Sequence, residues 1–179
     1  MHADIADVIV DTALNSIEAG ARRVELKLVE KSGTISVDIT DDGKGMDEAT
    51  LEKVFDPFYT EAGKHDRRRV GLGLPILKQM CEAVGGEVTL ESEKGRGTHL
   101  HYTFSAGHID LPPMGDIAKA VLQLMSYAGN FELVFFHARG GEEYEISRSE
   151  LIDAAGPLES VESLSLAREF ISAQEESLA

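Results

Sequence analysis

Four short segments in a fixed order constrain this chain more than any other feature. They are residues 11–15 (DTALN), 41–45 (DDGKG), 71–74 (GLGL) and 95–98 (GRGT). Each contains residue types that suit a bound ion, a phosphate or a tight backbone turn. Each is common by itself, so the information lies in their order and in the elements that carry them.

The apolar pattern places the first segments on a helix and a hairpin. Apolar residues recur at helical spacing over residues 4–18 and alternate with polar residues over 23–31 and 34–40. A short helix is predicted at 47–54 with Asp47 as its N-cap, and a longer one at 72–84. Strands at 87–91 and 98–104 complete an α+β two-layer sandwich, a mixed sheet with helices on one face.

A Gly- and Pro-containing stretch at 107–115 divides the chain. We therefore expect a domain at 1–107 and a small acidic α/β extension at 108–179. The extension is predicted to contain a helix near 115–127, strands at 131–137 and 143–146, and acidic helical segments, the last at 163–173. We expect the tail after Gln174 to fray.

Asp11 and Asn15 lie four residues apart, so they share one face of the first helix. An amide oxygen suits a hard cation, and a carboxylate can act as a general base toward water. The alternative is that both are solvated positions on an amphipathic helix.

The glycine segments have functional and ordinary interpretations. Asp41 ends a strand, where its carboxylate can accept an amino hydrogen, while Gly43 and Gly45 let the backbone turn. Residues 71–74 begin a helix, whose free N–H groups favour an anion. The alternatives are an Asp-Gly turn and a tight loop. The glycines of 95–98 also suit a plain hairpin.

In this order, with residues 54–60 (VFDPFYT) between the second and third, the segments resemble the nucleotide site of the GHKL ATPases. This superfamily includes gyrase, the ninety-kilodalton heat-shock chaperones, sensor histidine kinases and the MutL proteins. The resemblance covers about the first 105 residues and is closest to sensor histidine kinase ATP-binding domains. It implies a Bergerat fold that binds ATP with Mg²⁺.

The resemblance also implies roles for the helix residues. Asn15 would hold the magnesium that bridges the phosphates, and Asp11 would orient or deprotonate the attacking water. Family ATPases usually have glutamate at the position of Asp11, so the reach of this shorter side chain to the water is in doubt.

The same resemblance implies that Asp41 recognises adenine by a hydrogen bond and that Gly97 and Thr98 lie near the adenine. The segment 71–74 approaches the phosphates. The implied nucleotide-binding set is Asn15, Asp41, Gly43, Gly45, Gly71, Leu72, Gly73, Leu74, Gly97 and Thr98.

The charge and composition of the chain restrict the classes of partner that it can bind. The net charge of −15 argues against nucleic acid, and no apolar run is long enough to cross a membrane. One cysteine fits a reducing cytoplasm. The basic run 64–69 suits either a lid over phosphates or a solvated surface. Residues 110–179 include 13 acidic and 4 basic residues, and this excess of negative charge suits either a protein partner or plain solubility. His99 and His101 could form half of a metal site, with no matching cluster elsewhere.

Only ten residues precede Asp11, which leaves no room for a phosphoacceptor helical hairpin, so we expect a stand-alone ATP-binding protein. One interpretation is an ATPase or ATP-dependent regulator of a partner complex. Residues 111–116 (LPPMGD) are similar to those of stand-alone proteins of anaerobic bacteria associated with iron–sulfur hydrogenase complexes. The alternatives are an anti-sigma-type serine kinase and a non-catalytic nucleotide sensor. The sequence leaves oligomerisation open.

Overall fold

The structure is a computed structural model that describes residues 4–56 and 73–178. Its elements in chain order are α1 (Ile5–Glu18), β1 (Arg23–Lys31), β2 (Thr34–Asp41), α2 (Glu48–Leu51), α3 (Gly73–Ala83), β3 (Val88–Glu93), β4 (Gly97–Ser105), α4 (Ile117–Met125), β5 (Glu132–Arg139), β6 (Glu142–Ser147), α5 (Arg148–Ala155) and α6 (Val161–Ser177).

Helix α1 forms where the helical spacing predicted it. Asp4 caps its start, with the side chain accepting from the Asp7 N–H at 2.8 Å. Its apolar face, which includes Ile5, Ile9 and Leu14, is almost fully buried. This burial fixes the rotation of the helix and therefore the directions in which its polar residues point.

The strands form one six-stranded mixed sheet in the order β3-β4-β2-β1-β5-β6. All neighbours are antiparallel except β1 and β5, which are parallel. The central strands bury alternate residues on one face, as shown by Leu26, Val37 and Phe135, and the helices pack on that face. The predicted α+β fold with a mixed sheet and helices on one face is confirmed.

The C-terminal segment continues this sheet. Strand β5 pairs with β1 over eight residue pairs, from Arg23 with Glu132 to Glu30 with Arg139. Helix α4 packs against α1, and α6 packs against α4. The hydrophobic core therefore contains side chains from both sides of the predicted boundary.

The linker before α4 also contacts the start of α1. The N–H groups of Ile5 and Ala6 donate to the carbonyl oxygens of Pro113 and Met114, each at 2.9 Å. These N–H groups belong to the first turn, which has no intrahelical acceptors. The linker thus completes the hydrogen bonding of the helix that carries Asp11 and Asn15.

The prediction of a frayed tail is wrong. Helix α6 continues to Ser177, and Leu178 is fully buried. Glu175 accepts hydrogen bonds from Tyr144 at 2.5 Å and from Nδ1 of the fully buried His137 at 2.8 Å. The Arg139 guanidinium donates to the Leu178 carbonyl at 2.6 Å. These contacts from β5 and β6 hold the last turn in place.

The lengths of three helices differ from the predictions, and α4 covers only Ile117–Met125 of the predicted range 115–127. Helix α2 is one turn, Glu48–Leu51, although Asp47 caps it as predicted and accepts from the Thr50 N–H at 2.9 Å. Helix α6 begins at Val161, earlier than expected, because Ser160 caps it there. Among the described residues, no helix combines the length and the apolar character that a bilayer span requires.

Candidate functional site

Helices α1 and α3 form the walls of a cleft. The space between them is small and opens to solvent. The α1 wall contains Asp11 and Asn15, and the α3 side contains Gly73. Asp11 is exposed and Asn15 is half-buried. The remaining lining residues are Val8, Thr12, Leu77 and Met80.

The structure therefore brings three of the predicted site residues to one cleft. An exposed carboxylate and an amide lie one helical turn apart, opposite the first residue of another helix. Gly71 and Leu72 lie outside the described residues, as does the basic run at 64–69. Leu74 is half-buried and packs against the core.

Asp41 ends β2 and is 7% exposed. Its Oδ2 accepts from the Ser16 hydroxyl at 2.5 Å, and its Oδ1 accepts from the Gly43 N–H at 2.8 Å. Both oxygens are therefore held in a fixed orientation, and each keeps a lone pair for a further donor. The sequence predicted the position of this carboxylate but not its two partners.

Two glycines allow backbones to approach each other beside Asp41. Gly97 has φ +105°, and a Cβ there would lie 1.8 Å from the Asp41 carbonyl oxygen. Gly45 has φ +60°, and a Cβ would lie 2.0 Å from the Glu93 carbonyl oxygen. No other residue fits these places without moving the backbone. The absence of a side chain at these glycines thus allows the β3–β4 turn to pack directly on the loop after β2.

Thr98 lies directly across from Asp41 in the antiparallel pairing of β2 with β4. Its Oγ1 is 2.9 Å from the hydroxyl oxygen of Ser92 on β3. Asp41 and Thr98, which are distant in sequence, are thus side by side.

Three residues that the sequence analysis did not select also build the site: Ser16, Ser92 and Asp42. The Asp42 carboxylate accepts from the N–H groups of Arg23 and Arg22, at 2.9 and 2.7 Å, and these bonds lower its pKa below the ordinary value. The carboxylate therefore ties the loop after β2 to the start of β1. Small polar side chains have no spacing signature, so only Ser16, next to Asn15 in the sequence, could have been suspected.

Helix α1 joins the two parts of the site. Asn15 lines the cleft, and the next residue, Ser16, is hydrogen-bonded to Asp41. A shift of this helix would move both parts together.

His99 and His101 lie on the same face of β4, and both are half-buried. Both rings contact Asp38 Oδ1, at 3.1 and 2.9 Å. Over residues 4–56 and 73–178, no group of three or more His, Cys, Asp or Glu side chains has an arrangement that could hold a metal ion.

Comparison with known families gives a match over residues 3–108. The matching family is described as "Histidine kinase-, DNA gyrase B-, and HSP90-like ATPase". The match covers more than half of the chain and includes every predicted site residue.

Two of the similar proteins are named as sensors. The chain is 36% identical over 104 residues to the heme sensor protein HssS of Staphylococcus saprophyticus, which covers 58% of this chain and 22% of that protein. It is 31% identical over 160 residues to the sensor histidine kinase AruS of Pseudomonas aeruginosa, which covers 83% of this chain and 16% of that protein. The chain thus spans less than a quarter of either relative.

One solved structure resembles most of the chain. A crystal structure of the N-terminal domain of a DNA repair protein has a TM-score of 0.60 at 16% identity, covering 91% of this chain and 59% of that chain. At this identity the likeness concerns the fold alone.

Proposed function

Because the chain belongs to the histidine kinase-, DNA gyrase B- and HSP90-like ATPases and contains their ATP-binding domain, we propose that it binds ATP with magnesium and acts as an ATPase or as an ATP-dependent regulator of a partner protein complex. The observation that carries the proposal is the pairing of a buried, oriented carboxylate at Asp41 with a separate cleft that contains Asp11 and Asn15.

Asp41 is proposed to receive the adenine amino group. Its oxygens are fixed by Ser16 and Gly43, so a donor group on the base meets an acceptor that is already oriented. A neighbouring acceptor can come from Thr98, which is paired with it across the strands. The base would therefore be recognised mainly by donor groups on its edge.

The cleft is proposed to receive the phosphates and the metal. Asn15 supplies an amide oxygen, and magnesium prefers such oxygen ligands together with phosphate oxygens and water. When bound, the ion would neutralise charge that develops on the phosphates. Gly73 begins α3 on the opposite side, where a phosphate could approach helix N–H groups without meeting a side chain.

Asp11 is proposed to accept a proton from the attacking water. It is exposed on the same helical face as Asn15 and lines the same cleft. Its short side chain also supports a second candidate, a nucleotide sensor that binds ATP without turnover, because a general base must come within hydrogen-bond distance of the water.

The acidic C-terminal segment is proposed to serve a protein partner. Residues 110–179 have a net charge of −9, which would favour a basic surface over nucleic acid. The similarity of residues 111–116 to proteins associated with iron–sulfur hydrogenase complexes makes a redox complex our specific proposal for that partner.

Phosphate release from γ-labelled ATP tests the catalytic proposal. The full chain with magnesium is compared with Asp11→Asn, and with Asp7→Asn as a control one turn earlier on the same helix and outside the cleft. Release that Asp11→Asn alone abolishes supports an ATPase. Nucleotide retained without release supports the sensor, and stable label on an added partner supports the serine kinase. Absence of nucleotide binding refutes the proposal.

A further inference from the structure

The Ser92 hydroxyl joins three parts of the base-binding region. It is 2.9 Å from the Met46 N–H, 3.0 Å from the Gly97 carbonyl oxygen and 2.9 Å from Thr98 Oγ1. We propose that Ser92 is a positioning residue that fixes the direction of the Thr98 hydroxyl and thereby sets discrimination between 6-amino and 6-oxo purines. This inference rests on the proposed binding of ATP beside Asp41.

The direction of each hydrogen bond follows from counting hydrogens. A serine hydroxyl has one hydrogen to donate and two lone pairs. The Gly97 carbonyl can only accept, so Ser92 donates its hydrogen there. The Met46 N–H can only donate, so it uses one lone pair of Ser92. The contact with Thr98 must then be donated by Thr98 to the second lone pair.

The consequence is that the Thr98 hydroxyl has no hydrogen left for a ligand. It can offer only lone pairs, like the carboxylate oxygens of Asp41 directly across from it. Two adjacent side chains therefore present acceptors alone. A purine with an amino group at position 6 supplies hydrogen-bond donors to these two acceptors. A purine with a carbonyl oxygen at that position places a third acceptor beside them, which disfavours its binding.

A comparison of the two purines also distinguishes a positioning role of Ser92 from a purely structural one. Loss of a supporting hydrogen bond would weaken the binding of both purines to a similar degree. Release of the Thr98 hydroxyl would instead let it rotate and donate to a 6-oxo group. The ratio of the two affinities therefore reports on the direction of the hydroxyl and not on general stability.

The test measures binding of ATP and of inosine triphosphate to the full chain by calorimetry, with magnesium present. Ser92→Ala is expected to lower the ratio of ATP affinity to inosine triphosphate affinity by about fivefold, the typical effect of one hydrogen bond. Ser92→Thr keeps a hydroxyl and should restore the ratio. Ser36→Ala removes a serine hydroxyl on β2 that donates to the Val29 carbonyl, and should leave the ratio unchanged.

A double-variant cycle completes the test. In Thr98→Val the hydroxyl is absent, so adding Ser92→Ala should not change the ratio further. Thr98→Val alone should lower the ratio, and this measurement decides the question if Ser92→Ala does not fold. An unchanged ratio in the folded Ser92→Ala chain, or in Thr98→Val, overturns the inference while ATP binding stands. A wild-type chain that binds neither nucleotide overturns both the inference and the proposed function.

Discussion

Replacing Glu175 with glutamine should destabilise the whole protein, although only four residues follow it in the sequence. Glu175 receives hydrogen bonds from Tyr144 and from Nδ1 of His137, whose Nε2 lies 3.0 Å from Glu30 Oε1. His137 is fully buried, and each of its ring nitrogens faces a carboxylate oxygen. Glutamine keeps the size of the side chain and an acceptor oxygen but removes the charge.

The magnitude follows from the two bonds that lose their charged acceptor. A hydrogen bond to a charged group contributes about 1.5–3 kcal/mol, and a neutral one about 0.5–1.5 kcal/mol. Each bond should therefore weaken by about 1 kcal/mol, which gives a loss of about 2 kcal/mol in the free energy of unfolding. In a domain of this size that loss lowers Tm by about 4–8 °C.

The effect should also depend on pH. Burial raises the pKa of Glu175. The hydrogen bonds from His137 and Tyr144 lower it by more than burial raises it, so the net pKa lies below the ordinary 4.5. A lowered pKa contributes stability above the unfolded value, and that contribution is lost as the pH falls through the folded value. The difference between wild type and Glu175→Gln should therefore be full near pH 7 and shrink below about pH 4.5.

Urea unfolding followed by circular dichroism between pH 3.5 and 7.5 measures this difference; the chain has no tryptophan to report by fluorescence. Glu176→Gln is the matched control. Glu176 is the next residue in the sequence and its side chain is exposed, so this substitution removes the same charge without removing a buried contact. Equal stabilities of the two variants within about 0.5 kcal/mol, the usual range for surface changes, would refute the reasoning.

Other changes test the site and its support. Asp41→Asn should weaken ATP binding by about 1–3 kcal/mol in calorimetry, and unchanged affinity would remove Asp41 from the base site. Asn15→Ala should abolish the strengthening of ATP binding by magnesium, and an equal magnesium effect in the variant would contradict the assignment. Gly97→Ala should destabilise the fold by about 1–3 kcal/mol and more than Gly95→Ala, which shares a positive φ but meets no atom within 4 Å; equal melting temperatures would count against the close approach. A chain ending at Gly107 should be less stable than the full chain, since β1 loses its β5 partner, while retained ATP binding would support the two-part division.

Much of the fold was predictable because its signals are local. The 3.6-residue spacing of α1, the alternation of β1 and β2, and the Asp47 cap each depend on neighbours in sequence. The last turn of α6 is different. Glu175 and Leu178 are held by side chains of β5 and β6, and no pattern within the tail indicates those partners.

The site was predictable in part for the same reason. Asp41 and Thr98 stood out because glycines surround them in sequence. Ser16 and Ser92 did not, because their importance comes from which atoms they meet across the fold. A hydroxyl that satisfies several partners looks in sequence like any other surface serine.

The parallel pairing of β1 with β5 has a consequence for how the protein is made. The paired residues are more than one hundred positions apart, so β1 leaves the ribosome long before its second neighbour exists. Until β5 arrives, one edge of an interior strand has unpaired N–H and C=O groups, the condition under which nascent chains pair wrongly or aggregate. Contacts of such long range also slow folding. The segments proposed to bind nucleotide are thus synthesised before β5 and gain their full support only when β5 has been added.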